Sequence, residues 1–261
     1  MRSGRFKLAL IQILISPGEA EENLQRAIGL IRTAAKSKAD VILLPEALPF
    51  GWMDPAARTG ATTIPDGEHC QALRKVANEL KVFICSGLVE KAGDQLFNSA
   101  VLISDAGEVL LHHRKINELE IARELYGLGD RLGVAETRFG RWGLMICADA
   151  FVPGQVISRT LATMGAEVIL SPCAWAVPAD HDNSRTPYGQ LWVDNYGPVS
   201  REFQIWIAGC SNVGPIRSGP WAGHKCVGCS MVLGGEGQKT LNGPYEEEKI
   251  LFVDIGDGGS S

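Results

Sequence analysis

Apolar residues recur along this chain in two rhythms, one of short unbroken runs and one of helical spacing. The run over 6–15 predicts a strand. The stretch 19–37 predicts a helix, because Leu24, Ala27, Ile28, Ile31, Ala34 and Ala35 fall on one face. A short, wholly apolar strand over 41–44 stops at Pro45. A second helix over 68–80 aligns Leu73, Val76, Ala77 and Leu80, and 82–89 predicts a third strand. Strand–helix–strand–helix–strand is the pattern of βαβ units.

The rhythm then changes. Strands over 96–103 and 109–113 are joined by Ser104-Asp105-Ala106-Gly107, a turn-forming link. The charged stretch 116–133 reads as a loop with some helix. A strand pair over 134–137 and 142–146 turns at Phe139-Gly140. Helices over 153–164 and 191–203 alternate with strands over 168–170 and 205–208, and strands over 227–233 and 249–254 close the chain. The two halves resemble each other in element order, with no tandem repeat of short period. Two packed sheets with helices on both outer faces would hold all these elements. No linker rich in Pro or Ser divides the chain, so one domain over 1–255 is expected, followed by a mobile tail over 256–261.

Composition narrows the function classes. Hydrophobic residues make up 45% and charged residues 21% of 261, an ordinary globular balance. The net charge of −5, without a basic stripe, leaves no electrostatic footprint for nucleic acid. Seven cysteines, an odd number lying mostly within apolar runs, suit a reducing cytoplasm better than a disulfide framework. Arg2, Arg5 and Lys7 before the first apolar run imitate a secretory signal, but Gln12 interrupts the run and no small-x-small cleavage site follows. No apolar stretch approaches the roughly 20 residues of a membrane span.

Three strands end abruptly on reactive side chains. Val41-Ile42-Leu43-Leu44-Pro45 delivers Glu46, and strand carboxyl ends in α/β folds open into ligand crevices. Flanked by proline, Phe50 and Trp52, the carboxylate is expected to be desolvated, as a general base requires. Val109-Leu110-Leu111-His112-His113-Arg114 ends at Lys115. Trp142-Gly143-Leu144-Met145-Ile146 ends at Cys147, with Pro153-Gly154 and a helix close behind. That is a strand–elbow–helix, which exposes a nucleophile and aims backbone N–H groups at an oxyanion. Taken singly, each has a bland alternative: a surface glutamate, a solvated lysine, a buried structural thiol.

Together, Pro45-Glu46, Arg114-Lys115-Ile116 and Phe139-Gly140-Arg141-Trp142-Gly143-Leu144-Met145-Ile146-Cys147 resemble the nitrilase, or carbon–nitrogen hydrolase, superfamily, in order as well as in kind. Phe97-Asn98-Ser99-Ala100, Ser171-Pro172-Cys173-Ala174-Trp175 and Gly228-Cys229-Ser230-Met231 extend the similarity, which runs from about residue 6 to 255. The resemblance implies an α/β fold, a four-layer α-β-β-α sandwich, with no cofactor and a homodimer or higher homo-oligomer. It implies Glu46 as base, Cys147 as nucleophile, and Lys115 with the backbone N–H of Ala148 as oxyanion donors. A base, a cation and a following helix N-terminus would all favour the thiolate of Cys147. The family's second glutamate could be Glu118, Glu120 or Glu124. Glu124 is selected because Glu124-Leu125-Tyr126-Gly127-Leu128-Gly129-Asp130 resembles the family's glutamate followed by an aromatic and glycines.

Phe50 and Trp175 are candidates to line the substrate pocket, with ordinary core aromatics as the alternative. Cys226-Val227-Gly228-Cys229 has C-x-x-C spacing, but it reads as one strand, on which positions i and i+3 face opposite ways; no metal is expected. His112 and His113 alternate faces and read as structural or exposed. True nitrilases follow the nucleophile with tryptophan and glutamate, whereas this chain has Ala148-Asp149, which favours a small amide or N-carbamoyl substrate over a nitrile. The partners expected are therefore small molecules, not nucleic acid or membrane. A non-catalytic interaction scaffold is the reading from another class, and it usually lacks a triad member.

Overall fold

The structure, a computed structural model, describes residues 4–256. β1 (Phe6–Gln12), β2 (Val41–Leu43) and β3 (Phe83–Ala92) run parallel, linked by α1 (Ala20–Lys36) and by α2 (Ala57–Gly60) with α3 (Glu68–Leu80). β4 (Gln95–Ile103) and β5 (Val109–Arg114) extend the sheet as an antiparallel meander. The second half repeats the scheme. β6 (Val134–Thr137) and β7 (Gly140–Leu144) form a hairpin, and β7 pairs in parallel with β8 (Val168–Cys173) after α4 (Val156–Thr163). A short β9 (Ala176–Pro178) and α5 (Gln190–Phe203) lead to β10 (Trp206–Ser211), parallel to β8. After β11 (Val213–Pro215) and β12 (His224–Val227) come β13 (Met231–Leu233), β14 (Lys239–Asn242) and β15 (Lys249–Ile255).

The sheets have orders β15-β1-β2-β3-β4-β5 and β14-β13-β10-β8-β7-β6. Each has three parallel strands at its centre, one antiparallel strand on one flank and two on the other, so the similar halves read in the sequence are two similar sheets. Strand alternation decides the layers. Leu8, Leu10 and Leu43 point inward to meet Leu144, Val168 and Leu170 of the facing sheet. Ile11 and Ile42 point outward under Leu24, Ile28 and Ile31 of α1 and Leu73 of α3. Ile169 and Ile207 do the same under Leu161 of α4 and Tyr196 of α5. Sheets buried on both faces need strands apolar at every position, hence the unbroken runs. The result is the expected α-β-β-α sandwich.

One local expectation changes. The stretch 227–233 is not one strand: Gly228 (φ 71°) and Cys229 (φ 56°) break it, placing Cys226 in a small three-stranded sheet of β11, β12 and β9 and leaving Cys229 just before β13. The charged stretch 116–133 is, as expected, a loop with some helix, here a single 3-10 turn, Glu120–Ala122. The tail expected over 256–261 lies, beyond Gly256, outside the described residues.

Candidate active site

The C-terminal ends of the central strands of both sheets meet, and there lie the three residues on which the sequence ends its strands, Glu46, Lys115 and Cys147. After β2, the backbone is held by Leu44 N–H donating to Cys85 O (2.8 Å) and Gly87 N–H donating to Pro45 O (3.0 Å). The next N–H, of Glu46, donates to Cys173 O at the end of β8 (3.2 Å), joining the two sheets. β5 points the same way as β3, since two antiparallel pairings separate them. Lys115, just beyond β5, is fixed by its N–H donating to Asn98 O and its carbonyl accepting from Gly129 N–H, each at 2.8 Å. Cys147 follows β7 at the start of a tight turn, Cys147–Phe151, with φ of 43°. This left-handed conformation is unfavourable for a residue with a Cβ, and it turns the chain sharply at the thiol.

Glu46 and Lys115 are each 1% exposed. Lys115 Nζ donates to Glu46 Oε1 at 2.7 Å, and Asn98 Nδ2 donates to the same oxygen at 2.6 Å. Among the described residues Oε2 of Glu46 receives no hydrogen bond. Burial alone would lower the pKa of Lys115, but the carboxylates of Glu118 and Glu46 facing it outweigh that and raise it, so the ammonium persists. Glu118 Oε2 lies 3.5 Å from Nζ. Neither oxygen of Glu118 has a hydrogen-bond partner among the described residues. Burial pushes its pKa up to about 7 against the pull of Lys115.

Cys147 is partly exposed while the other six cysteines are buried. Its surroundings correct one expectation. Burial, a hydrogen bond with Cys173 and the charge of Glu46 raise the thiol pKa well above its ordinary value, and the opposing charge of Lys115 does not compensate. A thiol pushed in that direction is one that a neighbouring base can assist. A base, a cation and an accessible thiol in one shielded place are the parts of acyl transfer.

The placement of the second glutamate is also corrected. Glu124 is exposed, and only its backbone carbonyl is engaged, by Arg58. Glu118 is 2% exposed and faces Lys115, whereas Glu120 opens the 3-10 turn with its side chain exposed. Spacing could have found Glu118, since i and i+3 bring it back toward Lys115 when the chain turns. Asn98 is a site residue that the reading of the sequence did not single out. Ala148 is the second residue of the Cys147 turn, where an N–H has no acceptor within a 3-10 helix. Phe50 and Trp175 are buried, Phe50 edge-on to His69 at 5.5 Å and Trp175 stacked on Trp192 at 4.6 Å. Among the described residues, no group of three His, Cys, Asp or Glu could hold a metal ion.

The family model described as carbon-nitrogen hydrolase matches residues 7–258. A protein named nitrilase from Pyrococcus abyssi is 35% identical over 95% of this chain and 89% of its own length. The omega-amidase NIT2 of Bos taurus is 29% identical over 96% of this chain and 88% of its own. Among solved structures, Nit3 of Saccharomyces cerevisiae superposes with a TM-score of 0.82 at 22% identity, covering 98% of this chain and 91% of that one. An amidase from Nesterenkonia sp. superposes with a TM-score of 0.81 at 22% identity, covering 98% and 92%. With that match over almost its whole length, the chain belongs to the carbon–nitrogen hydrolase family, enzymes that cleave carbon–nitrogen bonds other than peptide bonds.

Proposed function

We propose that this protein is a cysteine-dependent amidohydrolase that cleaves a small amide through a thioester, releasing ammonia or an amine. One observation carries the reading: the shielded Glu46–Lys115 pair sits at the same strand ends as Cys147, the partly exposed cysteine. Oε2 of Glu46 takes the proton from the Cys147 thiol as sulfur attacks the amide carbon. Negative charge that builds on the carbonyl oxygen is met by the Lys115 ammonium and the Ala148 N–H. Glu46 returns the proton to the leaving nitrogen, and water, activated by the same carboxylate, hydrolyses the thioester. Glu118, with a pKa near neutrality, holds the far side of Lys115. Phe50 and Trp175 are rigidly packed and are proposed as apolar walls for the acyl group.

The relatives' names divide between nitrilase and amidase, and the Ala148-Asp149 departure favours amide or N-carbamoyl substrates. In a structure of a mutant Nesterenkonia amidase, acrylamide has undergone Michael addition at the active-site cysteine of that protein, so a small amide reaches the sulfur there. The experiment is ammonia release from a panel of short amides, ω-amides, N-carbamoyl amino acids and nitriles. Turnover of nitriles alone would replace the reading.

A cytoplasmic homodimer or higher homo-oligomer is proposed as the working form. Seven unpaired cysteines suit a reducing compartment. No helix among the described residues is long and apolar enough to cross a membrane. A species near 28.1 kDa in light scattering at micromolar concentration would reject the dimer.

A further inference from the structure

We propose that Asp149 and His113 form a positioning pair that locks the elbow of Cys147 to the segment carrying Lys115, setting the distance between nucleophile and oxyanion cation. The inference rests on the reading of Cys147 and Lys115 given above, and neither Asp149 nor His113 touches the reacting atoms in it.

Asp149 is fully buried. An ionised carboxylate survives there only if its oxygens are satisfied. Oδ1 accepts from Ile116 N–H at 3.1 Å and from Asn117 N–H at 2.7 Å. Oδ2 accepts from Ile146 N–H at 2.9 Å and from His113 Nε2 at 2.8 Å. A carboxylate oxygen can only accept, so Nε2 carries the proton. Burial pushes the pKa of Asp149 up, yet the hydrogen bonds from His113, Asn117 and Ile146 outweigh it and hold the pKa below the ordinary value.

The donors fall into two groups. Ile146 belongs to the elbow. His113, Ile116 and Asn117 bracket Lys115 on both sides in sequence. Asn117 adds a reciprocal tie, its Nδ2 donating to Ala148 O at 2.6 Å. The elbow needs such ties, because Cys147 is held at φ 43°, a conformation that reverts unless its surroundings over-determine it. Asp149 N–H donating to Ile146 O (2.9 Å) and Cys147 N–H donating to Ser171 Oγ (3.2 Å) complete the clamp.

A carboxylate serving the fold alone would affect stability. One that sets the geometry between thiol, lysine and the Ala148 N–H would instead affect the chemical step, where a displacement of about 1 Å costs about a hundredfold. His113 is suited to a fine adjustment, since Nε2 is its one bonded nitrogen and Nδ1 has no partner among the described residues.

The test uses the full chain with Asp149→Asn, His113→Phe and His113→Gln. Turnover of the best amide of the panel is measured beside the rate at which iodoacetamide alkylates Cys147, followed by intact mass. For a folded Asp149→Asn the expected result is a kcat about tenfold to a hundredfold lower, KM within about twofold, and alkylation slowed in parallel. His113→Phe should lose less, and His113→Gln, whose Nε2 can donate to Asp149, should recover most of that loss. A folded Asp149→Asn with wild-type kcat and alkylation overturns the proposal. Should Asp149→Asn fail to fold, the histidine variants decide. A slowed His113→Phe with recovery in His113→Gln supports the pair, while a wild-type His113→Phe, or no recovery in His113→Gln, overturns it. Full activity in Cys147→Ala would instead sink the underlying reading of the nucleophile, a result distinct from all of these.

Discussion

A Cβ added to Gly87 would lie 2.5 Å from Cα of Glu46 and 2.6 Å from Pro45 O. Strand β3 therefore passes the Pro45-Glu46 segment at a distance that only glycine allows, and Gly87 N–H donates to Pro45 O within that contact. Neither atom is at the end of a flexible side chain, so the backbone itself would have to move. Gly87→Ala is expected to cost on the order of 1–3 kcal/mol of stability and to displace Glu46. Thermal unfolding and turnover measured together check this. A variant with the melting temperature and kcat of the parent would refute the close-approach argument.

Glu46→Gln should lower kcat by about two to four decades while leaving the fold intact, because glutamine cannot take the thiol proton. The raised pKa of Cys147 adds a second expectation. Because the charge of Glu46 is one cause of that rise, its removal should bring the thiol pKa down and leave alkylation by iodoacetamide at neutral pH at least as fast as in the parent, while turnover is lost. Unfolding of the variant would mean that Glu46 is structural.

Lys115→Ala removes the cation facing two buried carboxylates, Glu46 and Glu118. Activity should fall by about two to three decades through loss of the oxyanion partner. Stability should fall as well, since breaking a buried pair leaves uncompensated charge. Adding Glu118→Gln to Lys115→Ala should return part of the stability and none of the activity. Recovery of turnover in the double variant would remove Lys115 from the mechanism.

Glu118 and Glu124 should separate clearly. Glu124→Gln, at an exposed position, is expected to keep kcat within about twofold, whereas Glu118→Gln should change it. The pH dependence follows from the sign of the shift. The folded-state pKa of Glu118, about 7, lies above its unfolded value, so its contribution to stability is complete below the unfolded pKa and lost as the pH rises through about 7. Melting temperature plotted between pH 5 and 8 should therefore decline less steeply in Glu118→Gln. Identical slopes would show that Glu118 does not titrate there.

Cys147 should be the first of the seven cysteines alkylated by substoichiometric iodoacetamide, because the other six are buried. Inactivation should follow that label one to one. With a slow amide, intact mass should catch an acyl adduct on Cys147, and Cys147→Ala should be inert. A label arriving first on Cys70 or Cys229 with loss of activity would move the nucleophile elsewhere.

The residues at which chemistry was expected were legible because the signals were local. Short apolar strands ending on Glu46, Lys115 and Cys147 need no long-range information, and burial on both faces leaves its trace along the central strands. Helices α1 and α3 were equally plain, their apolar faces repeating at helical spacing. Which glutamate faces Lys115 was not a local matter. Glu124 had the more persuasive neighbours in sequence, yet the backbone after β5 folds Glu118 inward and leaves Glu124 in solvent. The break between β12 and β13 has a similar origin, for Gly228 packs against the side chain of Gln12 at the other end of the chain, where a Cβ would lie 2.3 Å from it. The direction of the Cys147 pKa shift depended on assembly most of all. The elbow alone favours a thiolate, but packing brings Cys173 and the charge of Glu46 against the sulfur, and together with burial they push its pKa up against the pull of Lys115.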